Sequence, residues 1–308
     1  MKIGIGIGDI ASRPADFSDL MAQAKRAEDA GFASVWLANI FGADAMTAAT
    51  AVGLATKTIA IGTGVVPTYP RHPFAMAQQA MSVASATGNR FTLGIGLSHQ
   101  IVIENMLGMS FAKSYTHMKE YLAVLAPLVR EGKVQFQGEM FKVGASLKVP
   151  GATPCPIVIA ALAPKMLALA GTVADGTITW MTGPKTLAEH IVPSVTRAAK
   201  EAGRPAPRVI AGLPISVSDD AAAGRETAGK IFKHYGALPS YRAMLDREGV
   251  EGAADVAIVG NEAEVTATLD RMQEAGVTEF MGAPFSTRKD DDSLARTWNL
   301  LAARAKRG

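Results

Sequence analysis

Glycine and isoleucine alternate through the run KIGIGIG, and just after it the apolar positions re-space to Phe17, Leu20, Met21, Ala24 and Ala27. The first pattern has the period of a strand and the second that of a helix with one apolar face. The stretch EDAGFASVWLAN predicts that this helix stops at Gly31 and hands over to a second strand, since glycine commonly follows the last helical residue. The same hand-off recurs in QEAGVTEFMGAP and, more loosely, in VADGTITWMTG. Strands are expected near residues 3–8, 33–38, 58–66, 91–97, 156–161, 176–181, 208–217 and 277–283, with helical pattern between most of them. Eight strands alternating with helices over this length predict a (β/α)8 TIM barrel rather than a doubly wound sheet.

One stretch interrupts the alternation. VQFQGEMFKVGASLKVPGATPCP reads as a hairpin and a proline-bounded loop at about 133–155, ahead of the strand PIVIAA. With no Gly/Ser or Pro-rich linker in view, residues 1–308 are expected to form one barrel domain with insertions at the C-terminal face. The third strand is odd in another way, because Gly62 and Gly64 weaken it near its end. Glycine inside a strand marks a bulge, a bend, or a place where something comes close to the backbone.

Composition narrows the function classes. The chain has 308 residues, 48% of them hydrophobic, and 31 basic against 28 acidic residues spread along it. That balance predicts no nucleic-acid or membrane surface. Cys155 is the single cysteine, so no internal disulfide forms, and five scattered histidines give no zinc spacing. No run approaches the 18 or so apolar residues of a membrane span, and a cytoplasmic setting is expected.

In a barrel the chemistry sits at the C-terminal strand ends. Here those ends read WLANIFGAD, GTGVVPTYPRHP, GIGLSHQ, IAALAPKM, TWMTGP and MGAPF, apolar and poor in charge. Such a mouth suits a flat hydrophobic ligand. His99, at a strand end, is a candidate acid or base, and equally a hydrogen-bonded structural group. Trp180 faces either the pocket or the barrel core, and the methionines fit core filling. GIGIGD and GIGLSH begin like a dinucleotide fingerprint but place Asp9 and His99 where its last glycine belongs.

Together AKRAEDAGFASVWLAN, IAIGTGVVPTYPRHP, NRFTLGIGLSH and IVIAALAPKMLALAGTVADG resemble the bacterial luciferase-like oxidoreductases, especially the branch that uses the deazaflavin coenzyme F420. The resemblance runs in order over essentially the whole chain. It implies a third strand that bulges beneath the cofactor ring, with a non-prolyl cis peptide between Gly64 and Val65. It also implies that the turn after strand 5 holds the cofactor phosphate on the backbone of Ala161, Leu162 and Ala163. That placement is physically reasonable, because free N–H groups and the helix dipole meet there. Asn39, Gly96 and Ala160 join the expected cofactor contacts, and Ile40, Phe41, Leu97 and Trp180 the expected substrate pocket.

The chain departs from the sugar-phosphate-oxidising members of that branch. Where they carry an Asp-His pair and an aromatic, this chain has Asn39, Ile40 and Phe41, and Leu97 replaces an acidic residue. With no base at Ile40, an F420H2-dependent reductase of a small organic substrate is expected, its proton coming from water, His99 or Tyr69. The alternatives are an FMN-dependent monooxygenase on the same barrel and a flavin-binding protein without catalysis. A homodimer is expected in each case.

Overall fold

The computed structural model describes residues 1–8, 15–287 and 292–307; Asp9, weighed above, lies outside them. Its strands are β1 (Lys2–Ile7), β2 (Ser34–Leu37), β3 (Ala60–Thr63), β4 (Val66–Pro67), β5 (Phe91–Gly96), β6 (Lys133–Gln137), β7 (Lys142–Ser146), β8 (Ile157–Ala160), β9 (Gly176–Trp180), β10 (Arg208–Val217), β11 (Ile258–Gly260) and β12 (Glu279–Pro284). The parallel order β1-β2-β3-β5-β8-β9-β10-β12 returns to β1, so eight strands close into a barrel. β11 adds outside this circle along the far end of β10, and β6 and β7 form a separate antiparallel hairpin.

Five helices between these strands bear on the site: α1 (Phe17–Ala30), α2 (Ala45–Ala55), α3 (Pro73–Ala86), α4 (Ser114–Glu131) and α5 (Pro164–Thr172). α1 begins where the Asp16 carboxylate accepts the Asp19 N–H at 2.8 Å and ends at Gly31, whose φ of 87° is left-handed. It buries Leu20, Ala24 and Ala27 against the sheet and leaves Phe17 exposed at its first turn. At the end of α1 the Glu28 carboxylate accepts the N–H groups of Lys57, Thr58 and Ile59, fixing the start of β3. Burial pushes its pKa up, and these donors overcome that and hold it at about 2.

Period two explains the glycines. In β1 the isoleucines face the helices, which leaves Gly4 and Gly6 inside the barrel. A Cβ on Gly4 would collide with Ser34, and one on Gly62 with the indole of Trp36. Trp36 is 1% exposed and lies across the barrel with Val158, Ile178, Ile210 and Met281. Its Nε1 donates to Glu279 Oε1 at 2.8 Å, and Arg208 donates to the other oxygen of Glu279 at 2.9 Å. The G-x-G runs are thus the inward faces of strands that make room for larger side chains.

The expected single strand over 58–66 is instead two pieces. Gly62 pairs with Thr92 and Val66 with Ile95, so three residues stand opposite two and the strand bulges. Thr63 Oγ1 bridges the gap, donating to Gly94 O at 2.8 Å and accepting from Gly94 N at 2.9 Å. The peptide between Gly64 and Val65 is cis. Only one of the two glycines serves the bulge; Gly62 makes room for Trp36, a cause inside the fold and not a bound ring.

Candidate active site

The barrel mouth is floored by small apolar groups. Ala38, Gly64, Val65 and Trp180 are each partly exposed, and Ala160, in the middle of the closed sheet, is exposed. Ala38, Val65 and Trp180 rest on the Trp36 cluster below. Gly96 keeps the floor low, since a Cβ there would lie 2.7 Å from Val65 and 3.2 Å from Ala160. Methyl groups and open backbone of this kind are the surface that suits the face of a flat ring system.

Around the seat stand the other residues expected from the sequence. Asn39 Oδ1 accepts the Ala45 N–H at 3.1 Å, tying the end of β2 to the start of α2. Ile40 and Phe41, at 45% and 70% exposure, project from the rim, while Leu97 is half-buried at the end of β5. After β8 the chain runs through Ala161 and Leu162 to Ala163, which precedes α5 and gives it no side-chain cap. The first N–H groups of α5 are therefore open to an anion, with Pro164 at its first position. Lys165 beside them is exposed, its ammonium 5.7 Å from the Tyr115 ring.

His99 is half-buried at the same mouth. Burial, and secondarily the charge of His234, hold its pKa below the ordinary histidine value. Tyr69, the other candidate proton donor, is turned into packing: its ring stacks on His117 at 4.0 Å and burial pushes its hydroxyl up to about 12. His117 is itself buried, with Nε2 3.0 Å from Thr68 Oγ1, and burial lowers its pKa to about 4. Nearby, Glu104 accepts from Gln100 at 2.8 Å.

The segment between β10 and β11 adds residues that no strand-end pattern points to. There Phe232, Tyr235 and Tyr241 come to the mouth: Tyr241 lies 5.6 Å from the His99 ring, Tyr235 5.2 Å from Tyr241, and Trp180 6.0 Å from Tyr235. The available signal was local: FKHYGALPSY is rich in rings in a chain only 6% aromatic. Trp180 Nε1 is buried without a hydrogen-bond partner. Its N–H exerts some pull on the nearby Tyr235 hydroxyl, whose pKa burial raises, but the contact falls short of hydrogen-bond geometry.

A recess also lies away from the mouth. It is an open groove of about 680 Å3 between α4 and the β6–β7 hairpin, lined by Ala123, Pro127 and Gln135 among others. It holds none of the residues that the strand ends bring together. Among the described residues no cluster of His, Cys, Asp or Glu is arranged for a metal ion.

Comparison with known proteins places this architecture. A model of the luciferase-like monooxygenase family matches residues 3–279. A 5,10-methylenetetrahydromethanopterin reductase of Methanolobus tindarius is 32% identical over 281 residues, covering 90% of this chain and 85% of that protein. A putative coenzyme F420-dependent oxidoreductase of Mycobacterium tuberculosis is 29% identical, covering 72% and 69%. The solved F420-dependent tetrahydromethanopterin reductase of Methanopyrus kandleri superposes with a TM-score of 0.80 at 22% identity, over 98% of this chain and 97% of that one.

Proposed function

The chain belongs to the luciferase-like monooxygenase family, and on that premise we propose that it is an oxidoreductase transferring hydride between coenzyme F420 and a small organic substrate, working as an F420H2-dependent reductase. The observation that carries this reading is the open apolar floor of Ala38, Gly64, Val65 and Ala160, with His99 at the end of the neighbouring strand. The names of its Methanolobus and mycobacterial relatives, a reductase and an F420-dependent oxidoreductase, support it. The family's description also names monooxygenases, and FMN on the same seat is the alternative.

When bound, reduced F420 supplies the hydride. The protein's part is to seat the ring on the backbone of Gly64, Val65, Gly96 and Ala160, beside Asn39. The open N–H groups beyond Ala161, Leu162 and Ala163 receive the phosphate, stabilised by the dipole of α5. Ile40, Phe41, Leu97 and Trp180 present apolar surface to the substrate and exclude water. His99, when protonated, gives a proton from its imidazole to the product atom that gains electron density. Alcohol oxidation asks for a base next to the hydroxyl, and Ile40, at the position of the base in the sugar-phosphate-oxidising members, cannot act as one.

We further place the protein in the cytoplasm as a homodimer that binds no nucleic acid. The even charge balance supports this, as does the fact that no described helix is long and apolar enough to cross a membrane. Leu54, 71% exposed on α2, is apolar surface that a second copy would cover. Assays in both directions test the reaction, using enones and imines with reduced F420, and alcohols and glucose 6-phosphate with the oxidised form. Reduction is expected to dominate; efficient oxidation with no enone or imine reduction would overturn the reading.

A further inference from the structure

Four rings meet around the mouth without a fixed charge among them. Tyr241 faces His99 at 5.6 Å with the planes 53° apart. Tyr235 meets Tyr241 edge to face at 5.2 Å and 89°, and Trp180 at 6.0 Å and 65°. Each of Trp180, Tyr235, Tyr241 and His99 keeps part of its surface exposed. Behind them Phe232 is 4% exposed and Phe285 6%, the two rings meeting edge to face at 6.0 Å. Rings held by buried rings stay in place, so the open faces form a standing wall and not a flexible fringe.

The chemistry of this wall selects its occupant. Aromatic faces favour other planar rings through offset or edge-to-face contact. With no arginine, lysine or carboxylate among these ring contacts, and with burial holding His99 toward its neutral form, a permanently ionic group finds no fixed partner here to offset its lost hydration. The indole N–H of Trp180 is buried near the Tyr235 hydroxyl but short of hydrogen-bond geometry, and a ligand oxygen or nitrogen that reaches it completes its bonding. His99 stands at the end of the same wall.

We propose that the Trp180–Tyr235–Tyr241 wall is the substrate-binding surface, and that it takes planar, uncharged, conjugated ring compounds carrying a hydrogen-bond acceptor. The proposal builds on the F420 reductase reading, naming its substrate class, and makes Tyr235 and Tyr241 specificity-determining residues. Binding to the wall needs no cofactor, so the two claims fail separately.

The test is calorimetric titration of the whole protein, with and without F420, using naphthalen-2-ol, naphthalene-2-sulfonate and cyclohexanol. Naphthalen-2-ol is expected to bind at least about tenfold tighter than the charged and the saturated compounds. Tyr235→Ala and Tyr241→Ala should each weaken it by about tenfold, a difference of about 1.4 kcal/mol. Tyr235→Phe and Tyr241→Phe should retain most of the affinity. Circular dichroism on each variant confirms that the barrel is intact. Equal affinity for the three compounds, or naphthalen-2-ol binding unchanged in folded alanine variants, would overturn the proposal. F420 binding by the same samples reads the cofactor claim independently.

Discussion

Gly62 and Trp36 occupy neighbouring strands at one level of the barrel, and a single added carbon on the glycine would drive into the indole ring. The pair divides the work of the third strand. Gly62 accommodates the largest buried side chain of the interior, while Gly64, two residues on, belongs to the floor of the mouth.

Gly62→Ala is therefore expected to destabilise the fold by about 1–3 kcal/mol, the usual cost of overpacking. Gly64→Ala meets its first neighbour, the flexible end of Ile178, only at 3.2 Å. It should cost less stability and, because its methyl group presses on Ile178, Met281 and Trp36 beneath the seat, weaken F420 binding only through the shift this forces on the Gly64–Val65 backbone. Urea unfolding of both variants, with F420 titration of the second, checks the division.

Much of this layout was legible in the sequence, and the failures have physical causes. Alternation of isoleucine with glycine marked β1 and β5 because the two faces of a barrel strand meet different surroundings. The bulge at 63–65 was signalled by Gly64, but Gly62 carries the same letter for a different reason, and only its distant neighbour Trp36 reveals which. The aromatic segment 232–241 gives no strand-end signal, since its rings converge with Trp180 and His99 only through the closure of the barrel. Tyr69 looked available for chemistry; its stacking on His117, 48 positions away, removes it to the packing.

His117 makes acid stability a second test. It is 5% exposed and its pKa falls from 6.5 to about 4 through burial. Above pH 6.5 both folded and unfolded chains keep it neutral, and it adds no pH dependence. Between 6.5 and about 4 the unfolded chain takes up a proton that the folded chain refuses, so stability falls as pH drops, by about 3 kcal/mol at most. Urea unfolding across this range should show a steeper loss for the wild type than for His117→Gln. Parallel slopes would show that His117 is not held neutral.

His99 gives the pH dependence of turnover. Its pKa is lowered, first by burial and then by His234, so the protonated form is lost as pH rises through a midpoint below 6.5. Reduction of an enone should accordingly slow with rising pH around that midpoint. His99→Gln should lower kcat by about 100-fold or more, the ordinary contribution of a positioned acid. It should also flatten the profile. Stopped-flow oxidation of F420H2 from pH 5 to pH 8 measures both, and an unchanged profile in the variant would assign the proton to water.

The proposed function requires a deazaflavin to lie over Gly64, Val65 and Ala160. Titration of the purified protein into F420 and, separately, into FMN, followed by coenzyme fluorescence, addresses it most directly. The predicted result is saturable quenching of F420 with FMN bound at least about tenfold more weakly, and loss of F420 affinity in Ala163→Glu, whose carboxylate would repel the phosphate at the start of α5. Tight FMN binding with F420 left free in solution would contradict it.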